Sequence, residues 1–591
     1  MLGPYDLLST SSLTARAGVL IHGVTEDTDQ IRQMIPWTTL SWTQVHHGAL
    51  PLWNPYNGLG LPLAFNWQSA AFGLPSLVGY LVPLRDAYTA GVIVTLVIAG
   101  TGGYVLGRVL GLRIVGALTI ASIFELSGPL IAWLGYPQAQ AMAWGGWMFA
   151  AGLLIVRGDR RVPPIVIFAV VTAGAIYAGH PETLIVMAAA TLLLVALVLV
   201  SRALPARFGL PGGAVLRPTV DVLVAGIAGA ALGAPLLLPG LQLTSSSIRS
   251  AASLGSSALP LHDTLYVLFS TFDGTPVPGS YQFGGALYYN ESAAYVGVIA
   301  LVLASVGVVC GLMARRPEVL AVVIVGAVMA ATVYVTPVVY LVNHLPLFDE
   351  VNWLRALMPL SLVVATLAGV GIDAMSRAPA RPLVRMWPLG GFVAIGIGLG
   401  LLWLVGRNGG LPSFGKSFAE HVRAESFVWP AIGVALGLTV YAVVLWQPRW
   451  RLAGTVVLLV GEVVLLVSAE SILISSSPSS YSPTKAVTAL QKTVGDARVG
   501  TGPSSAGLCT LGVSPEANVL FGLRELDLYD PIVPEAYFTQ WQRETNTSAG
   551  EPDLVRVLQP RGRHVDTAFA TFSSQRGPRH HRGARRWRPC P

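Results

Sequence analysis

Between residues 87 and 473 the sequence is a succession of apolar runs, each about 17–25 residues long, the length of helix that crosses a bilayer. They fall near residues 87–107, 114–134, 139–156, 163–179, 181–201, 220–243, 293–313, 317–336, 356–374, 387–406, 427–447 and 452–473. The expected fold is therefore an α-helical polytopic membrane protein with about 12 transmembrane helices. Composition agrees with it. With 53% hydrophobic and 11% charged residues, a chain of 591 residues has too little polar surface to cover a soluble body of that size.

The positive charges set the register of these runs. Alternate breaks carry Arg108 and Arg113; Arg157, Arg160 and Arg161; Arg202, Arg207 and Arg217; Arg315 and Arg316; Arg377, Arg381 and Arg385; Arg449 and Arg451. Cytoplasmic loops are the ones enriched in Lys and Arg, so these breaks are expected inside and the intervening ones outside. On that phasing the chain is multi-pass in the cell membrane. Residues 1–86 form an extracytoplasmic first loop with interfacial helices, the apolar stretch 70–84 being too short to span. Residues 87–474 form the transmembrane domain, with large external loops at 244–292, 337–355 and 407–426. After a Ser/Pro linker, a small extracytoplasmic α/β domain is expected at 475–570, and the Arg- and Pro-rich run 571–591 reads as a disordered basic tail. The formal charge of +7 lies largely in the short breaks and this tail, which points to topology rather than to a nucleic-acid partner. Cys310, Cys509 and Cys590 have no metal or redox spacing, and no nucleotide fingerprint is present. An enzyme of this kind needs a membrane-borne or extracytoplasmic substrate.

Chemistry-bearing residues concentrate on the external side. Asp29, Gln33, Pro36 and Trp37 form the spaced set D-x-x-x-Q-x-x-P-W, with Glu26 and Asp27 just ahead and Trp42, Trp53, Tyr56 and Trp67 following. A carboxylate there can take a proton from an acceptor hydroxyl or help to bind a divalent cation, while Trp and Tyr suit both the interfacial belt and a sugar face. A solvated acidic loop with belt anchors is the competing reading. His180, Pro181 and Glu182 occupy a tight external turn, where imidazole and carboxylate supply an acid/base pair, a phosphate contact or simply a polar hairpin. Glu291 precedes one span and Arg355 another. Arg355 breaks the local charge rule, and guanidinium is a natural phosphate clamp, although Asp349 or Glu350 would also pair with it. Glu125 and Glu462 lie mid-span, where charge is costly, and are the argument for a transporter.

These motifs resemble the bacterial YfhO-like membrane proteins, which belong with the GT-C type of polytopic glycosyltransferases. The resemblance is carried by Asp29-x-x-x-Gln33-x-x-Pro36-Trp37, by the run from His47 through Trp53-Asn54-Pro55-Tyr56, by Gly60-Leu61-Pro62 and by Asn66-Trp67-Gln68-Ser69. Gly179-His180-Pro181-Glu182-Thr183, Asn290-Glu291, Arg355, the Leu367–Asp373 run and Tyr529-Asp530-Pro531 follow in family order. It implies a GT-C-like bundle and a transferase that takes sugar from a polyprenyl-phosphate-linked donor to a cell-envelope glycan or lipid acceptor, without a nucleotide sugar or other cofactor. It also implies Asp29 as general base, with Gln33, Trp53, His180, Glu182, Glu291 and Arg355 in substrate or phosphate contact. Such proteins carry a membrane span ahead of the acidic loop and a defined C-terminal ending, so this chain is expected to lack both. The other functional class is a non-catalytic transporter, flippase or assembly factor for lipid-linked saccharides.

Overall fold

The computed structural model describes residues 29–207, 215–248, 257–272, 289–346, 348–349, 351–377, 382–407, 426–469 and 482–545, apart from 500–501, 504–509, 512, 514–515, 526–529 and 531. The expectations placed on residues 1–28, on residues 249–256 and 273–288 of the loop 244–292, on residues 408–425, on Glu350 and on residues 546–591 lie outside the described residues.

The chain enters through a π-helical turn, Gln30–Met34, that runs into α1 (Ile35–His46). A short hairpin pairs β1 (Trp53–Asn54) with β2 (Leu61–Pro62), and α2 (Leu74–Gly79) leads to the first span. Then come α3 (Leu84–Val109), α4 (Ile114–Glu125), α5 (Gly128–Ala132), α6 (Pro137–Ala143), α7 (Gly145–Arg157), α8 (Val162–Tyr177), α9 (Pro181–Arg207) and α10 (Leu216–Ser245). The remainder of the bundle is α11 (Tyr289–Ser292), α12 (Val298–Met313), α13 (Pro317–Tyr334), α14 (Thr336–Val342), α15 (Leu357–Ser376), α16 (Pro382–Arg407), α17 (Val428–Trp446) and α18 (Arg451–Ala469).

In hydrocarbon every backbone N–H and C=O must be satisfied within the segment, so long apolar runs fold as helices. Among the described residues ten helical stretches are long and apolar enough to cross a membrane. The two remaining runs, α8 and α12, are helices of 16 residues each. Ten and two account for every expected run, and the chain is a multi-pass helical membrane protein. A glycine with positive φ bounds each of them, Gly179 (+81°) just after the end of α8 and Gly297 (+89°) just before the start of α12, a conformation that costs glycine little and ends or delays a helix. The segment 293–297, expected inside a span, is accordingly non-helical.

Burial separates centre from rim. The span Trp353–Ser376 has 89% of its apolar window buried within the protein, whereas Arg385–Val405 has 17%, so the former is the axis of the bundle and the latter faces outward. At one end the arginine-bearing breaks converge. Asp373 of α15 accepts the Arg113 backbone N–H (2.9 Å) and pairs with Arg377 (2.8 Å), while Asp221 of α10 pairs with Arg161 (3.0 Å).

At the opposite end the first loop and a C-terminal segment pack on each other. Ile31 and Ile35 share a buried cluster with Val487, Val513, Ala517, Phe521 and Leu523. The segment contributes α19 (Lys485–Val494), the parallel pair β3 (Arg498–Val499) with β6 (Arg524–Glu525), the antiparallel pair β4 (Gly502–Pro503) with β5 (Thr510–Leu511), and α20 (Glu535–Thr545). It is stitched to the first loop by Asn57 Nδ2 donating to Asn518 Oδ1 (3.0 Å), Glu525 N–H to the Tyr56 carbonyl (2.7 Å) and Asn66 Nδ2 to Asp530 Oδ2 (3.1 Å). The end of α10 joins as well, through Ile248 N–H to the Val533 carbonyl (3.0 Å).

Candidate functional site

Three chain turns deliver side chains to one point at the end of the bundle that also carries the first loop. Pro181 opens α9, where its fixed φ suits the first helical position, and His180 stands just before it. The His180 ring caps that helix, Nδ1 accepting the Thr183 N–H at 3.2 Å, so Glu182 falls in the first turn, where the helix dipole favours a carboxylate. The turn itself is pressed against the first loop: a side chain at Gly179 would run into the Trp67 carbonyl. Arg355 lies in a 3₁₀ turn, Trp353–Ala356, capped by the Asn352 side chain accepting the Leu354 N–H at 3.1 Å, immediately ahead of the axial helix α15. Glu291 comes from α11.

These turns form one buried cluster. Arg355 Nη1 contacts the Glu182 carboxylate directly and lies 3.2 Å from His180 Nε2, while Nη2 donates to Glu291 Oε1 at 3.4 Å. The guanidinium carbon stands 5.8 Å from the centre of the Trp133 ring, in cation–π range. Side-chain exposures of 8%, 16% and 13% for Arg355, Glu182 and Glu291 keep water from screening the charges. Two buried polar atoms have no partner, Arg355 Nε and Glu291 Oε2. Burial pushes the Glu291 carboxyl above the usual range; the Arg355 charge pulls it back only in part, and the Glu182 carboxylate adds to the rise. A neutral imidazole carries one N–H, so His180 can accept from Thr183 or from Arg355 but not act as acceptor at both ring nitrogens.

The cluster unites four of the residues singled out from the sequence: His180, Glu182, Glu291 and Arg355. Arg355 pairs with carboxylates far away in sequence rather than with Asp349. Asp29, Gln33 and Trp53 are not among the partners of Arg355. Asp29 precedes the π-turn and makes no capping hydrogen bond to it, Gln33 is buried in that turn, and Trp53 lies half exposed in β1, its carbonyl accepting from Gln44 Nε2 (2.7 Å). The first helix nevertheless shares a wall with the cluster. Tyr88 Oη donates to Gln30 Oε1 (2.8 Å) beside Gly135, and Trp133 and Tyr136 pack with Met34 and Trp37. A cavity of about 30 Å³ lies along this wall, lined by Met34, Thr38, Gln68, Tyr88, Gly135 and Gln140 among others, but not by Asp29, Glu182 or Arg355.

Sequence reasoning passed over Trp133 and Asn352. The Asn352 signal was present, since an Asn two residues before the amide it accepts is an ordinary helix-start mark. Trp133 had none, because its role depends on which helix end it meets. Of the mid-span acids, Glu462 is fully buried and its Oε1 accepts the Ala300 N–H at 2.8 Å, so it caps the start of α12 from a neighbouring helix in the space left by Gly297. Glu125, the last residue of α4, lies half-buried against Gly100. Among the described residues no group of three or more His, Cys, Asp or Glu is placed to hold a metal ion.

No family model and no curated protein matches the chain. Solved structures similar to it include ArnT from Cupriavidus metallidurans bound to undecaprenyl phosphate, at 13% identity and TM-score 0.45 over 88% of this chain and 83% of that one. The apo state of the same ArnT aligns at 14% identity and TM-score 0.41, over 79% of this chain and 74% of that one.

Proposed function

We propose that the chain is a GT-C type membrane glycosyltransferase of the YfhO-like group. In this reading it transfers a sugar from a polyprenyl-phosphate-linked donor to a cell-envelope glycan or lipid acceptor, at the extracytoplasmic face of the cell membrane. The carrying observation is Arg355, a buried guanidinium with an unpartnered Nε at the end of the bundle opposite the arginine-bearing breaks. A fixed, desolvated guanidinium suits a phosphate leaving group, whose negative charge grows as the sugar departs. The acceptor oxygen forms a bond to the anomeric carbon, the carbon–oxygen bond to phosphate breaks, and the acceptor proton passes to the Asp29 carboxylate. Arg355 holds the polyprenyl phosphate released. Residues 475–570 act in this scheme as an external domain that braces the first loop. The transporter alternative drew on Glu125 and Glu462, and the capping role of Glu462 accounts for one of them without transport.

Asp29→Asn tests the base assignment. Reconstituted in liposomes with a polyprenyl-phosphate sugar, the variant is expected to insert normally and to lose about 10²- to 10⁴-fold in transfer rate. Full retention of transfer overturns the assignment.

A further inference from the structure

The guanidinium of Arg355 is unevenly used. Its Nη1 is occupied by the Glu182 carboxylate, with His180 Nε2 3.2 Å away, whereas the side edge formed by Nε and Nη2 has one long bond, 3.4 Å to Glu291 Oε1, and no partner on Nε. That side edge is one of the two forks on which guanidinium takes a phosphate with parallel hydrogen bonds. Oε2 of Glu291, the second oxygen of the carboxyl that takes the long bond, is likewise buried and without a hydrogen-bond partner. One guanidinium faces two buried carboxylates there. A single positive charge balances only one of them, and burial with the neighbouring Glu182 carboxylate favours the neutral form of Glu291.

We propose that the phosphate of a polyprenyl monophosphate seats on the Nε/Nη2 edge of Arg355 and accepts a hydrogen bond from the Glu291 carboxyl, while Glu182 stays on Nη1 as fixed counter-charge. This rests on the polyprenyl-phosphate reading above and deepens it. Glu291 is then a donor that separates phosphate from other ligands: ionised, it would repel the anion, and neutral, it adds a third donor to the two of the fork. The upward shift of this carboxyl by burial acts in the same direction. The groups that act on Glu291 are Arg355 and Asn352 from the turn before α15 and Glu182 from the start of α9. The adjoining α5 carries only Gly, Pro, Leu, Ile and Ala.

Binding of decaprenyl phosphate to the detergent-solubilised full chain, with decaprenol as the phosphate-free control, tests it. Wild type is expected to bind the phosphate and to weaken as pH rises and Glu291 ionises. Glu291→Gln keeps a donor, and should bind within threefold of wild type at low pH with that pH dependence gone. Glu291→Ala and Arg355→Lys should each weaken binding at least tenfold while leaving decaprenol unchanged. Equal binding by Glu291→Ala and wild type overturns the proposal, as does a Glu291→Gln variant that stays well folded by size exclusion yet binds as poorly as Glu291→Ala. If wild type transfers sugar in an Asp29-dependent way while the Glu291 variants bind normally, this inference alone falls. If wild type binds no decaprenyl phosphate, the donor class falls with it.

Discussion

Arg355 shows what a single residue can and cannot disclose in sequence. As an arginine on the external side of the charge pattern it stands out, and Asp349 is a candidate partner close by, but the fold supplies Glu182 and Glu291, remote in sequence. Sequence distance hides such pairs because helix ends remote in the chain meet only when the bundle closes. Removing one side of a buried ion pair leaves a bare charge and typically costs about 3–5 kcal/mol, so these groups are tied to stability as well as to any ligand. Glu291 makes that tie measurable. Its folded carboxyl lies above the ordinary 4.5, so between that value and the raised one the folded protein binds more protons than the unfolded chain, and stability falls as pH rises through the window. Thermal midpoints of detergent-solubilised wild type should therefore decline across that window, and Glu291→Gln, which cannot ionise, should remove this component. Parallel slopes for the two proteins would rule out a buried, shifted Glu291.

The elements that matter most are the first loop and the C-terminal segment, which are held to each other by side-chain amides. Asn54 Nδ2 donates to Asn57 Oδ1 (3.0 Å), Asn57 to Asn518, and Asn518 Nδ2 to the Leu523 carbonyl (2.7 Å), all buried. Breaking a buried amide chain leaves polar groups unsatisfied at about 1–3 kcal/mol each. Asn518→Ala is thus expected to loosen the C-terminal segment and to speed its release by limited proteolysis, with the membrane-embedded fragment still folded. Unchanged cleavage kinetics would mean that the apolar cluster around Ile31, Val487 and Phe521 holds the segment alone. In sequence Asn54, Asn57 and Asn66 look like ordinary turn residues. The pairing of Asn57 and Asn66 with positions more than 450 residues away follows from docking, which no local pattern encodes.

At the scale of the whole molecule the arginine phasing leads to a prediction about sidedness. His46, at the end of α1, and Arg160, in the break between α7 and α8, are both exposed and lie at opposite ends of the bundle. In a cysteine-free background, His46→Cys should react with an impermeant maleimide from outside intact cells, and Arg160→Cys only after the membrane is opened. The reverse pattern would invert the orientation and move the Arg355 cluster to the cytoplasm. The sequence by itself determined the helical class, the number of apolar runs and their alternation, because hydrocarbon thickness sets run length and the translocation of charge sets loop composition. It also marked His180, Glu182, Glu291 and Arg355 one by one. Only the tertiary structure decided that these four share one buried point with Trp133 and that Glu462 caps a helix, since burial and contact depend on which helix ends meet.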